Sequence, residues 1–303
     1  MEAERVKRIK ELQQEKDAVI LAHYYVDGDV QEIADYVGDS FYLSKVATQV
    51  PQQNILFAGV TFMGESAKIL NPEKNVLLVD ADADCPMAHM VTAERIRAVR
   101  EQYADLAVVC YVNSTAEIKA VSDVCVTSSN AVRVVRNIPE KHIFFVPDSN
   151  LGRYVAAQAP EKEFIFHDGF CHVHKDILAE ELKAAKQAHP GALVLTHPEC
   201  AGDVVEQSDF VGSTSEIIDY ATESACAEFL ICTETGVLYE LRQKNPDKKF
   251  YSVGESQICP NMKKITADKV VRALETLAPV VELPEQMICD AARPLKRMLE
   301  LAK

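Results

Sequence analysis

The sequence predicts an α/β protein: three similar small parallel-sheet domains related by a pseudo-threefold axis, with the functional site at their central junction. Three observations carry that prediction. Strand-like apolar runs alternate with helix-like segments along the chain. Landmarks recur in steps of 88 and 86 residues: Asn71-Pro72-Glu73-Lys74 returns as Ala159-Pro160-Glu161-Lys162 and as Asn245-Pro246-Asp247-Lys248. The strand ends at His23, Tyr111 and His197 keep those steps, and Ser40, Ser128 and Thr214 follow them by 17 residues each. Finally, Cys85, Cys171 and Cys259 each close one copy. The period exceeds the roughly 20–50 residues of solenoid repeats and suits a small α/β unit. Units around one axis would bring equivalent positions together at the centre.

The units expected are 1–87 with about 264–303, 88–172, and 173–263. In the first, residues 2–16 form an amphipathic helix with a Val6, Ile9, Leu12 stripe, and strand Ala18–Leu21 delivers His23. Val30–Val37 reads helical, Gly38-Asp39-Ser40 opens another helix, and strand Asn54–Ala58, helix Thr61–Leu70 and strand Val76–Val79 lead to Cys85. The second unit opens on a Thr92 cap and continues through strands Leu106–Val112, Asp123–Val126, His142–Val146 and Glu163–Phe166. Helix Asn150–Gln158 lies between the last two. The third begins with one long helix, His174–Ala188, followed by strands Ala192–Leu195, Asp209–Val211, Glu228–Ile231 and Lys249–Ser252. Two C-terminal helices, near 266–278 and 284–302, are expected to pack on the first unit, with Pro294 bending the second.

Composition narrows the function. The 303 residues carry a net charge of −14, from 32 basic and 46 acidic side chains, with no long basic run. That excludes a nucleic-acid groove or an anionic membrane surface as partner. No stretch approaches the ~18 apolar residues of a membrane span. Nine cysteines without an export signal point to free thiols in a reducing cytoplasm.

In parallel α/β sheets ligands sit at the carboxyl ends of strands. His23, Tyr111 and His197 stand there, and Ser40, Ser128 and Thr214 stand at helix starts that favour anions, where plain capping accounts for them equally well. Glu199, after His197-Pro198, is a candidate base. Cys110, Cys125, Cys200, Cys226, Cys232 and Cys289 read as packing residues, whereas Cys85, Cys171 and Cys259 read as metal ligands. The metal stays open at this point. Cys171-x-x-His174, with His172 nearby, could supply a zinc pair. Three distant cysteines could instead hold a [4Fe–4S] cluster with one iron left open as a Lewis acid.

The chain resembles the quinolinate synthase family over essentially its whole length. The resemblance rests on His23-Tyr24-Tyr25, Gly38-Asp39-Ser40, Asp84-Cys85-Pro86-Met87, Tyr111-Val112-Asn113, Thr127-Ser128-Ser129-Asn130-Ala131, Gly169-Phe170-Cys171, His197-Pro198-Glu199-Cys200, Gly212-Ser213-Thr214 and Cys259-Pro260-Asn261-Met262. It departs from the family pattern around Cys171, where His167-Asp168-Gly169 and His172 stand, and in lacking a C-x-x-C-x-x-C tail. The resemblance implies three α/β domains around a [4Fe–4S] cluster held by Cys85, Cys171 and Cys259. It implies condensation of iminoaspartate with dihydroxyacetone phosphate to quinolinate in NAD biosynthesis, with coupling to an iminoaspartate-producing enzyme. It places His23, Ser40, Tyr111, Asn113, Ser128, His197, Glu199, Ser213 and Thr214 around the substrates, with Glu199, Tyr111, His23 and His197 moving protons.

Three competing readings differ in testable ways. A diphthamide-type radical enzyme would cleave S-adenosylmethionine. An iron–sulfur sensor would need neither Glu199 nor the helix-start hydroxyls, and a zinc protein would show zinc on metal analysis. Nothing in the sequence sets the oligomeric state.

Overall fold

A computed structural model describes residues 2–302. Twelve strands form three four-stranded sheets among the described residues. The first unit holds β1 (Ala18–His23), β2 (Tyr36–Gly38), β3 (Asn54–Ala58) and β4 (Asn75–Leu78). The second holds β5 (Leu106–Tyr111), β6 (Val124–Val126), β7 (His142–Val146) and β8 (Glu163–Phe166). The third holds β9 (Leu193–Thr196), β10 (Phe210–Val211), β11 (Glu228–Cys232) and β12 (Lys249–Ser252). All three sheets repeat one strand order, β2-β1-β3-β4, β6-β5-β7-β8 and β10-β9-β11-β12. Every pairing is parallel. The central strands are unbroken apolar runs because helices cover both faces; β1, β3 and β5 are buried along their whole length.

Two sets of equivalent side chains build each sheet the same way. The carboxylates of Asp35, Asp123 and Asp209 each accept the amide of the first strand, from Ile20, Val108 and Val194, at 2.8 Å in every case. They fix where the second strand pairs. The lysines of the Asn-Pro-Glu-Lys repeat point back at the end of an earlier helix. Lys162 Nζ donates to the carbonyls of Ile138 (2.6 Å) and Glu140 (2.9 Å), and Lys248 to those of Ala221, Thr222 and Ser224. Lys74 does the same to Val50. The motif is structural: an ammonium satisfies carbonyls left open beyond a helix C-terminus.

The first two units share one continuous apolar core, joined by the C-terminal helices. The third has separate clusters, one containing Leu195, Phe229 and Ile231 and the other Val194, Leu230 and Cys232. Alternation along β9 and β11 puts these on opposite faces of its sheet.

Three expectations are corrected. The helix read over Val30–Val37 stops at Ile33, and Tyr36–Gly38 is β2 instead. Its backbone is captured by β1, with Asp35 N donating to Ile20 O at 3.0 Å. The long helix read over His174–Ala188 is two, His172–Lys175 and Ala179–Ala188, because Leu178 is extended and His174 is drawn inward. The last helix, Glu285–Leu301, packs mainly on the second unit, against Ala116–Ala120 and β6, and also on Thr61–Leu70 of the first. Arg293 and Arg297 donate there to the carbonyls of Ser122 and Asp123.

Candidate active site

The carboxyl ends of the three sheets converge on a cavity of about 790 Å³, its mouth included. His23, Ser40, Cys85, Tyr111, Asn113, Ser128, Cys171, His197, Glu199, Thr214 and Cys259 all line it. Ser213 does not. It is fully buried and closes a capping box, its hydroxyl accepting from Glu216 N while the Glu216 carboxylate accepts from Ser213 N at 2.7 Å. Asp39 caps its helix likewise, accepting from Tyr42 N at 2.9 Å. Capping by Asp39 and Ser213 leaves Ser40 and Thr214, one position later, on the cavity wall without a capping role. Ser128 stands in the turn before helix Ala131–Asn137, where Asn130 Oδ1 accepts from Thr127 N at 2.8 Å.

His23 and His197 occupy equivalent places in the first and third units and make the same local bond. Tyr25 N donates to His23 Nδ1 (3.1 Å) and Glu199 N to His197 Nδ1 (3.3 Å). An Nδ1 that accepts leaves the proton on Nε2. Burial drives both rings down to about 3, against the charge of Glu199, so they stay neutral at ordinary pH. They are hydrogen-bond donors to an oxygen, not imidazolium ions.

Glu199 is 2% exposed. Burial pushes its carboxyl up, but the rings of His174 and His197 and the Tyr111 hydroxyl outweigh that and hold it at about 2. His174 Nδ1 lies 2.7 Å from its Oε2. The other His174 nitrogen meets Thr233 Oγ1 at 2.8 Å, which meets the Tyr25 hydroxyl at 2.7 Å, which meets Thr214 Oγ1 at 2.8 Å. Burial and the Glu199 charge push Tyr111 and Tyr25 well above the usual phenol range, so both stay protonated. Glu199 is thus an ionised carboxylate beside the neutral donors His23, His197, Tyr111 and Tyr25, with Asp39, Asp84 and Glu234 also on the cavity wall. Asn113 Oδ1 is shielded from water and has no protein partner.

Tyr25 lines the cavity without having been singled out from the sequence as a site residue, and His174, offered there only as a possible zinc partner of Cys171, meets Glu199. Tyr25 sits two places after His23 in a motif already singled out, and His174 in Cys-x-x-His; neither has a counterpart in all three units.

The three cysteines share a local design. Each precedes a short helical turn whose amides work to lower its thiol: Ala88 and Met87 at Cys85, His174 at Cys171, Met262 and Asn261 at Cys259. Such N–H groups favour thiolate and cluster sulfur. Burial raises all three thiols, Cys85 to about 12, and the sulfurs are close enough for Cys259 to raise Cys85 and Cys85 to raise Cys171. None is in a disulfide. Three convergent soft donors on one cavity, without a fourth cysteine there, fit a three-thiolate iron–sulfur cluster better than a four-ligand zinc site. Cys171, His174 and Glu199 also fall within 4.8 Å of one another. Those groups already satisfy each other, with His174 Nδ1 3.2 Å from Cys171 Sγ and bonded to Glu199.

Comparison with known proteins agrees. A family model described as Quinolinate synthetase A protein matches residues 7–300. The quinolinate synthase of Caldicellulosiruptor saccharolyticus is 52% identical over 303 residues, covering 100% of both chains. That of Fusobacterium nucleatum is 52% identical over 295 residues, 97% of this chain and 98% of the relative. That of Clostridioides difficile is 47% identical over 296 residues, 98% and 97% respectively. Matched from end to end at this level, the chain belongs to the quinolinate synthase family.

Proposed function

We propose that this chain condenses iminoaspartate with dihydroxyacetone phosphate in the central cavity, releasing phosphate and two waters to give quinolinate for NAD biosynthesis. The observation that carries this reading is that one cavity gathers a thiol from each unit beside a buried carboxylate, Glu199, that burial does not neutralise. Cys85, Cys171 and Cys259 would hold a [4Fe–4S] cluster, which when bound supplies one iron without a protein ligand as a Lewis acid.

The chain's own groups divide the remaining work. Glu199, ionised and desolvated, takes the proton whose loss enolises the triose. Tyr111, protonated beside it, returns a proton to a substrate oxygen. His23 and His197 offer Nε2–H to developing oxyanions without carrying charge. The Ser40, Ser128 and Thr214 hydroxyls take carboxylate or phosphate oxygens, and the unpartnered Asn113 Oδ1 accepts the imine N–H. The three units, bounded as the repeat suggests and set about a common axis, share this task. An imine hydrolyses in water, so supply ties the enzyme to the one that makes iminoaspartate. Nine free thiols among the described residues suit work in a reducing cytoplasm.

Anaerobically purified protein should show iron–sulfur charge-transfer absorption and form quinolinate. Cys85→Ala should lose both. Quinolinate formation by that variant at the wild-type rate would overturn the reading.

A further inference from the structure

Asp148 and Glu234 are fully buried carboxylates. They stand 86 residues apart, the step between the second and third units. Each spends its two oxygens in the same way. Asp148 Oδ1 accepts from Leu151 N at 2.7 Å, capping helix Ser149–Gln158, while Oδ2 accepts from Cys171 N at 3.1 Å. Glu234 Oε2 accepts from Gly236 N at 2.6 Å, and Oε1 accepts from Cys259 N at 3.1 Å and also meets Lys263 Nζ at 3.2 Å. In the first unit the equivalent position is Val60, and Asp84 Oδ1 accepts from Cys85 N at 2.7 Å instead. Two different routes therefore deliver a carboxylate oxygen to the amides of the three convergent cysteines.

A helix cap needs one oxygen. The second oxygen of Asp148 has only the cysteine amide. The segment before Cys171 is pinned further by Ser149 N donating to Gly169 O at 2.8 Å, and a side chain at Gly169 would put its Cβ 2.4 Å from the Pro147 carbonyl oxygen. We infer that Asp148 and Glu234 are positioning residues, which aim Cys171 and Cys259 at their common centre and so set how firmly a bound cluster is kept. This rests on the three-cysteine reading above.

The test uses Asp148→Asn and Glu234→Gln in the full chain, beside wild type and Asp209→Asn. An amide keeps the capping oxygen but turns an N–H₂ toward the cysteine N–H. Asp209 makes the same kind of backbone tie, to Val194, and serves as the structural control. Two quantities are read: iron release to an anaerobic chelator, and hydrogen exchange of the segments around 169–173 and 257–261 in cluster-free protein. Release should be about tenfold or more faster in the Asn and Gln variants, the size of effect seen when an outer-shell partner is removed. Exchange should quicken in those segments, with Asp209→Asn changing neither. Wild-type release and exchange in both variants, or equal acceleration in Asp209→Asn, overturns the inference. A wild type that binds no iron sinks the cluster assignment instead, while exchange in the cluster-free chains still decides the tie.

Discussion

A carboxyl group that is 2% exposed would ordinarily be pushed toward neutrality, yet Glu199 is held at about 2 by the rings and hydroxyl around it. Glu199→Gln keeps the shape and removes the proposed base. Its kcat should fall by about 10²–10⁴ with substrate binding retained, measured by anaerobic steady-state kinetics; a kcat within about threefold of wild type would remove the role. The two histidines make a second prediction. Each has its usual value of 6.5 in the unfolded chain and about 3 in the folded one, so between those values the unfolded chain binds more protons. Stability is therefore complete above about 6.5 and drains away as pH falls toward 3. At pH 5 each ring should cost about 2 kcal/mol relative to pH 7. Glu199, with its carboxyl lowered from 4.5 to about 2, loses stability in the same direction at still lower pH. Urea midpoints of cluster-free protein at pH 7 and pH 5 check this, and replacing His23 and His197 by Asn should flatten the difference.

At the scale of elements, the repeat was legible because it is written in local chemistry. The Asn-Pro-Glu-Lys copies mark a helix end, and their lysines reach back to carbonyls a fixed distance earlier. Lys248→Met should lower the unfolding free energy by about 1–3 kcal/mol in urea titration, since three carbonyls lose a charged donor. No change would reassign the lysine to solvation. The errors lie where an element's fate depends on a neighbour. Val30–Val37 has a helical apolar period, yet Asp35 hands its C-terminal half to β1. His174–Ala188 is amphipathic throughout, yet His174 is bonded to Glu199 and Thr233 and the helix restarts at Ala179. Ser213 sits in a motif with Thr214 but spends its hydroxyl on a cap.

Across the whole molecule, the first two units share a single core and are bridged by the last helix. The third has its own clusters, one of which takes in Tyr24 of the first unit, and polar ties also join the two. Lys263, four residues after Cys259, is one of them: Nζ reaches Tyr25 O (2.9 Å), Asp27 (3.1 Å) and Glu234 (3.2 Å). Gly236 is another contact, lying so close to the Tyr24–Tyr25 backbone that a Cβ there would stand 2.7 Å from Tyr24 O. Lys263→Met should loosen the third unit as a body, raising hydrogen exchange along β9 to β12 while β1 to β8 stay protected. Uniform loss of protection would show that the three units open together.

Sequence alone determined the number of units, the parallel α/β class, the three cysteines and most of the ring and hydroxyl positions. All of these follow from local burial patterns and from spacing that the chain repeats. Only the tertiary structure decided that His23 and His197 are neutral donors, that Glu199 stays ionised despite its burial, that Tyr25 and His174 line the cavity, and that the last helix crosses to the second unit. Those outcomes depend on partners from different units meeting at hydrogen-bond distance, as Glu199 with His174 or Tyr25 with Thr214. How units dock has no period of its own for a sequence to display.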